Sequence, residues 1–207
     1  MTQLNGKVAL VTGASSGLGA ATARLFAERG ATVFGIARDT GRLAEVFTEV
    51  PGGRYASVDI AQPAACRAAV QQCVDEFGRL DVLVNAAGFH QMRRTETLTD
   101  EQWDDDLAVN LTGPFQLCRA ALPHLLATGG NIVNVSSVAG LEGEVYSAAY
   151  CAAKHGIVAW LIARSAVLRQ QHALPLCQGQ RLGQCLGNQR VYQIQHKVLV
   201  KGPPHRM

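Results

Sequence analysis

Apolar residues in this chain come in short continuous runs that stop at glycine, and between the runs they recur every three or four positions. Residues 7–13, Lys-Val-Ala-Leu-Val-Thr-Gly, form such a run, the pattern of a strand buried on both faces. Over 17–29 the spacing becomes helical, with Leu18, Ala21, Leu25 and Phe26 in phase and Gly30 as the stop. The exchange then repeats. Strands are predicted at 31–37, 54–59, 80–85 and 131–136, and helices at 40–49, 63–77, 100–127 and 148–168. Pro63 suits the first turn of its helix and Gly78 its end, and Pro51-Gly52-Gly53 is a turn. Thr99 or Asp100 can cap the long helix, which Gly129-Gly130 closes. Strands alternating with helices at this interval imply an α/β fold: a doubly wound, mostly parallel sheet with helices on both faces.

From about Arg169 the periodicity fails. Eight glutamines fall between 170 and 195, and only 191–200 still alternates well enough for an edge strand. The chain therefore divides into a folded unit, 1–168, and an atypical basic, Gln-rich tail, 169–207, expected to be poorly ordered.

Composition adds limits. With 207 residues, 48% hydrophobic and 17% charged, the chain can bury a core as one globular domain. No apolar run approaches the roughly 20 residues of a membrane span, and Met1–Lys7 does not read as a secretory leader. The six cysteines lack CxxC or Cys/His ligand spacing, so they read as reduced thiols of a cytoplasmic protein, with no metal expected. The net charge of +3 hides an asymmetry. Through Glu144 there are 11 Lys+Arg against 16 Asp+Glu; after it there are 8 Lys+Arg and no acidic residue. These basic residues are scattered singly without interleaved aromatics, so neither nucleic acid nor a membrane surface is an expected partner. Asp104-Asp105-Asp106 invites a metal reading. Consecutive helical residues point in different directions, so the expectation is a solvated helix start, where acidic groups suit the dipole.

Two stretches carry chemistry. The first strand runs into Thr12-Gly13-Ala14-Ser15-Ser16-Gly17-Leu18-Gly19 at a strand-to-helix turn. Gly13 permits the tight turn, Gly17 lets backbone approach a pyrophosphate, and Gly19 allows close helix–strand packing. The helix N-terminus offers N–H groups and a positive dipole end to phosphates. At the end of the second strand stands Arg38, suited to a ribose 2′-phosphate with Ser15 or Ser16 as an extra donor. NADP(H) is therefore favoured as cofactor, while Asp39 keeps NAD(H) open. The second stretch is Tyr150-Cys151-Ala152-Ala153-Lys154. On a helix the phenol and the ammonium share a face, and a nearby cation lowers a phenol pKa from about 10. Such a pair can act as a general acid/base. His90 and Met92 follow the fourth strand, where they could touch a substrate; Trp103 and Trp160 read as packing and His155 as helix surface.

In order and interval, these pieces resemble the short-chain dehydrogenase/reductase family over residues 6–168. The resemblance rests on Thr12 to Gly19, Asp59 after the third strand, Asn85-Ala86-Ala87-Gly88 after the fourth, and Asn110 in Val-Asn-Leu-Thr-Gly. Ser137, thirteen residues before Tyr150, and Tyr150-xxx-Lys154 complete it. Ala86 stands where Asn is commoner. The resemblance implies that Tyr150 exchanges a proton with the substrate oxygen, and that Lys154 lowers the Tyr150 pKa and holds the nicotinamide ribose. It implies that Ser137 orients the carbonyl and that Asn110 holds a water linking Lys154 to solvent. Asp59 would contact the adenine, and Asn85, Ala86, Ala87 and Gly88 would line the adenosine side. The implied activity is hydride transfer between a nicotinamide cofactor and a small alcohol or ketone, with 3-oxoacyl thioesters as one class. The implied assembly is a homodimer or homotetramer.

After Leu168 the family's sixth strand with its Pro-Gly motif, its substrate lid and its seventh strand are not recognisable; Gly202-Pro203-Pro204 matches neither in order nor in context. Lowered stability, and catalysis that is weak or absent, are the resulting expectations. The alternative function is a catalytically impaired dinucleotide-binding remnant or interaction subunit.

Overall fold

A computed structural model of the protein describes residues 4–171 and the pair 192–193, with side chains described through residue 160. The tail expected to be poorly ordered, Gly202-Pro203-Pro204, Cys177 and Cys185 otherwise lie outside the described residues. Six parallel strands run in the order β3-β2-β1-β4-β5-β6. They are β1 (Val8–Thr12), β2 (Thr32–Ala37), β3 (Arg54–Ser57), β4 (Val82–Asn85), β5 (Asn131–Asn134) and β6 (Tyr192–Gln193). The helices are α1 (Gly17–Glu28), α2 (Thr40–Phe47), α3 (Pro63–Phe77), α4 (Asp100–Leu107), α5 (Gly113–Thr128) and α6 (Ala148–Gln171). The sheet is the expected doubly wound one. The two-residue β6 falls inside the 191–200 stretch and pairs with Ile132 and Val133.

The central strand shows why the sheet is covered twice. All five residues of β1 are buried, and successive side chains point to opposite faces. Leu10 joins Phe34, Ile36 and Leu83 under α3 and α5, while Val11 joins Val33 and Val84 with Ala23 of α1 and Leu43 of α2. Because β1 has β2 and β3 on one side and β4 and β5 on the other, its C-terminal end is the switch point where such folds open a crevice. Thr12 sits there, fully buried, and its Oγ1 accepts from Ala86 N at 3.0 Å and Ala87 N at 2.9 Å. One hydroxyl thus ties the turn after β1 to the turn after β4.

Three sequence expectations change. Helix α1 buries Gly19, Ala20 and Ala23, whereas Leu18 and Leu25 are exposed. The small residues win because the helix lies close against the strand: a Cβ on Gly19 would come within 2.2 Å of the Gly13 carbonyl oxygen. The helix read as 100–127 is two helices joined by a π-helical turn, Ala108–Thr112. Thr99 caps its start through a reciprocal box with Gln102, and Gly129 ends it in the left-handed region at φ 62°. The predicted strand 80–85 contains a buried charge. Asp81 accepts from Lys7 Nζ at 2.9 Å, from Arg79 Nε and Nη2 at 2.7 Å each, and from Val8 N at 3.0 Å. Burial alone would raise its carboxyl, but the Arg79, Val8 and Lys7 donors together hold it below the usual carboxylate range. It pins the start of β4 to the start of β1.

Candidate active site

A cleft of about 650 Å³ opens at the C-terminal ends of β1, β2 and β4. Its floor is the turn into α1, contributed by Gly13, Ser15, Ser16, Gly17, Leu18 and Gly19. Gly13 has φ +68°, and a Cβ there would lie 2.9 Å from Ala87 Cα, so this turn and the one after β4 touch backbone to backbone. A Cβ on Gly17 would meet nothing within 4 Å: this side of the turn is open space. Ser16 precedes α1 without a side-chain capping bond, and the first turn of α1 carries no acidic residue. A helix start left uncapped toward a cleft is suited to an anion.

Charged side chains border this cleft. Arg38 and Arg42 line the cleft beside Asp39. The Asp39 carboxylate accepts from Arg42 N at 3.0 Å as the cap of α2 and pairs with Arg42 Nε at 3.4 Å. The one acid at the end of β2 is therefore turned to its own helix, and two guanidinium groups border the pocket. Arg42 belongs to no motif in the sequence; its signal is its position three residues after the capping Asp39. Val58, Asp59 and Ile60 extend the cleft beside this segment, with Val58 N donating to Ala37 O at 2.8 Å and Asp59 Oδ1 accepting from Ala61 N at 3.0 Å. Ala86, Ala87, Gly88 and Phe89 complete the cleft. The expectation that Asn85 lines this side is corrected. Asn85 is buried, and its amide donates to Asn134 Oδ1 at 2.8 Å and Cys118 Sγ at 3.3 Å, beneath the cleft.

Gly88 joins the cleft to the second cluster. A Cβ placed on it would sit 2.9 Å from Asn110 Oδ1 and 3.5 Å from Lys154 Nζ. Asn110 is wholly buried in the π-helical turn. Its Oδ1 accepts from Phe89 N at 3.3 Å, and its Nδ2 donates to Phe89 O at 3.0 Å and to Asp106 Oδ1 at 3.3 Å. Its amide is thus spent on holding the Gly88–Phe89 backbone. Lys154, four residues after Tyr150 on α6, is 4% exposed. It donates to Val135 O at 3.2 Å and stands 5.5 Å from the centre of the Tyr150 ring. Burial pulls its ammonium down to about 8.

Tyr150 is half-buried, and its phenol is raised above the ordinary tyrosine range. Burial is the main cause; the hydrogen bond with the Ser137 hydroxyl pulls the other way, and Glu144 adds to the rise. The net direction is opposite to the one expected from the Tyr–Lys pair alone, because desolvation outweighs the lowering by Ser137. Ser137 Oγ also accepts from Ala139 N at 3.2 Å, which fixes the start of a short 3₁₀ turn, Val138–Gly140.

Asp106 is a second correction. It is not part of a solvated helix start but 2% exposed, paired with Arg93 Nη1 at 3.0 Å. Burial raises its carboxyl, with Arg93 pulling down against it. Arg93 N in turn donates to Tyr146 O at 2.7 Å. His90 lies in the same loop: its ring centre is 4.5 Å from that of Tyr150.

The geometry has close counterparts. The family model described as short chain dehydrogenase matches residues 7–172. A D-threitol dehydrogenase from Mycolicibacterium smegmatis is 40% identical over 161 residues, 75% of this chain and 62% of that protein. A 3-oxoacyl-(acyl-carrier-protein) reductase from Vibrio cholerae is 40% identical over 158 residues, 75% of this chain and 64% of the other. The chain thus spans less than two thirds of the length of these curated relatives. Among solved structures, a metagenomic short-chain oxidoreductase in complex with NADP superimposes with a TM-score of 0.76 at 39% identity, covering 81% of this chain and 78% of its own. Carveol dehydrogenase from Mycobacterium avium in complex with NAD gives 0.75 at 33%, covering 82% and 68%. Among the described residues no helix is long and apolar enough to cross a membrane.

Proposed function

The chain belongs to the short chain dehydrogenase family, and on that premise we propose that it moves a hydride between a nicotinamide dinucleotide and a small alcohol or ketone. The observation that carries the reading is the junction at Gly88, where the anion-suited cleft meets the buried Asn110 and Lys154. NADP(H) is the favoured cofactor: Arg38 and Arg42 border the pocket, and Asp39 is engaged by Arg42. When bound, the nicotinamide supplies or accepts the hydride.

The rest of the chemistry falls to the chain. The uncapped start of α1 holds pyrophosphate. A guanidinium of Arg38 or Arg42 takes the 2′-phosphate. Asp59 faces the adenine side. Ser137 donates to the carbonyl oxygen of the substrate and orients it. Tyr150, a phenol at neutral pH, gives its proton to that oxygen during reduction; for oxidation it must first lose that proton, and its phenolate then takes the proton of the alcohol. Lys154 holds the nicotinamide ribose with its buried ammonium. Asn110 fixes the Gly88–Phe89 backbone against which cofactor and substrate meet. Val138, Leu141 and Val145 are exposed around Ser137 and Tyr150, and this apolar rim supports a substrate with a hydrophobic arm, such as a 3-oxoacyl thioester. Trp103 of α4 and Leu126 of α5 are also exposed, which supports a homodimer or homotetramer packed through these helices.

Purified protein mixed with NADPH or NADH and a panel of ketones and 3-oxoacyl thioesters tests the proposal. Loss of reduced-nicotinamide absorbance with at least one ketone is expected, faster with NADPH. Cofactor binding without turnover of any ketone would sink the enzyme reading for this chain.

A further inference from the structure

His90 stands out in the sequence only by its place after β4, and the functional reading leaves it without a task. The structure gives it one. Its ring lies 4.5 Å from the Tyr150 ring, centre to centre, tilted by 31°. That is stacking distance, with the His90 ring covering the phenol ring. Its Nε2 is 2.7 Å from Ser147 Oγ. Ser147 is 2% exposed and donates its hydroxyl proton to Val145 O at 3.2 Å, which leaves its oxygen to accept from Nε2–H. Ser147 itself is fixed at the start of α6, its carbonyl accepting from Cys151 N at 2.8 Å. The backbone on either side of His90 is anchored too. Phe89 is held by Asn110 through both its N–H and its carbonyl, and Arg93 is held by Asp106 and by Tyr146 O. The loop is therefore anchored on both sides of His90 and the ring itself is held by Ser147 against Tyr150, while the residue as a whole is exposed.

We propose that His90 is a positioning residue for Tyr150: its ring, tied to Ser147, is the wall that fixes the phenol and keeps water from one of its faces. This rests on the proton-transfer role proposed above for Tyr150. The charged and titratable groups around the pair are Asp106 on α4 with Arg93 beside it, Glu144 in the loop before α6, and Cys151 and Lys154 on α6. With the wall in place one face of the phenol is kept dry and its phenolate is costly to form. Without it, water reaches the ring and the phenolate becomes easier to form.

The test is a tyrosinate absorbance titration. Tyr150 is isolated from the other three tyrosines by subtracting the curve of Tyr150→Phe. In His90→Ala the Tyr150 midpoint is expected to fall toward that of a free tyrosine, about 10, with NADPH binding measured by fluorescence unchanged. His90→Phe keeps the ring and is expected to keep the wild-type midpoint. Ser147→Ala frees the ring and is expected to lower the midpoint in part, and it carries the test should His90→Ala not fold. Where turnover is measurable, His90→Ala lowers kcat several-fold at unchanged KM for NADPH, and His90→Phe restores it. An unmoved midpoint in both His90→Ala and Ser147→Ala would overturn the proposal. So would a His90→Phe midpoint as low as that of alanine. The titration needs no turnover, so a chain that binds NADPH and reduces nothing still answers the question.

Discussion

Asp106 and Arg93 form an ion pair at 3.0 Å with the carboxylate sealed from solvent, and Asn110, one helical turn on, donates to the other carboxylate oxygen at 3.3 Å. The pair holds the loop that carries His90 against α4, and through Asn110 it reaches Gly88. Removing one partner of a buried pair costs far more than the pair contributes net. Asp106→Ala is expected to destabilise the fold by about 3–5 kcal/mol, read by urea denaturation. Asp106→Asn, which can still accept from Asn110, loses less. Because burial raises the Asp106 carboxyl in the fold, its contribution falls as pH rises from the unfolded value toward the folded one. The asparagine variant is expected to lack that dependence.

Lys154 carries a cost that its proposed function requires. Its ammonium is buried and brought down to about 8, against roughly 10.4 for a free lysine. Below pH 8 the folded protein holds a charge it would rather shed; between about 8 and 10 the unfolded chain binds the extra proton and stability rises with pH. Lys154→Met is expected to be more stable than the wild type at pH 7, by up to about 3 kcal/mol, with the gap closing by about pH 10. Thermal melts of both proteins across that range check this. The same variant is expected to lose turnover.

Asp81 gives the opposite sign at acid pH. Its folded carboxyl lies below the ordinary range, so its stabilisation is complete above about pH 4 and is lost as pH falls through the folded value. Asp81→Asn gives Lys7 and Arg79 a neutral amide with one acceptor oxygen in place of their shared carboxylate and loosens β1 from β4. A loss of about 1.5–3 kcal/mol is expected at pH 7, shrinking on acidification, measured by denaturant titration at several pH values.

Cofactor choice is expected to follow the two guanidinium groups. Each hydrogen bond to a charged phosphate is worth about 1.5–3 kcal/mol, so Arg38→Ala weakens NADPH binding about 10- to 100-fold. NADH binding changes little. Arg42→Ala acts in the same direction and also frees Asp39 from its pair. Fluorescence titration with both cofactors separates them, and equal losses for NADPH and NADH would count against the 2′-phosphate role.

The thiols give a plain chemical check on burial. Burial raises Cys66 to about 11 and Cys73 to about 12, and the thiolate is the reactive form. At pH 8 an alkylating reagent is expected to spare both in the native protein and to label the half-buried Cys151. In urea all three react. Peptide mass mapping reads the result.

The strands and helices were legible because their apolar runs and glycine stops are local. Gly78 and Gly129 end their helices as the sequence indicates. What escaped depends on partners far along the chain. Asp106 looks like its neighbours Asp104 and Asp105 until the loop bearing Arg93 folds over it. Asp81 reads as one polar position in an apolar run until Lys7 and Arg79 converge on it. Asn85 sits in the cofactor motif, yet its side chain turns to Asn134, 49 residues on. Leu18 and Leu25 carry the helical period, but close approach to β1 favours the glycine and alanine face. The break at Ala108–Thr112 leaves no mark, since Leu107, Val109 and Leu111 fit a helix or a π turn equally well.

That π turn holds five residues where an α-helix would close with four. Taking one residue out would let α4 run into α5 as an unbroken rod, and α4 would rotate by about 100° relative to α5. Asn110 would no longer face Phe89 while α5 kept its seat on the sheet. The position of the asparagine therefore depends on chain length as much as on residue type. An indel scan of residues 107–113 should show a site abolished by a one-residue deletion even where every named side chain survives.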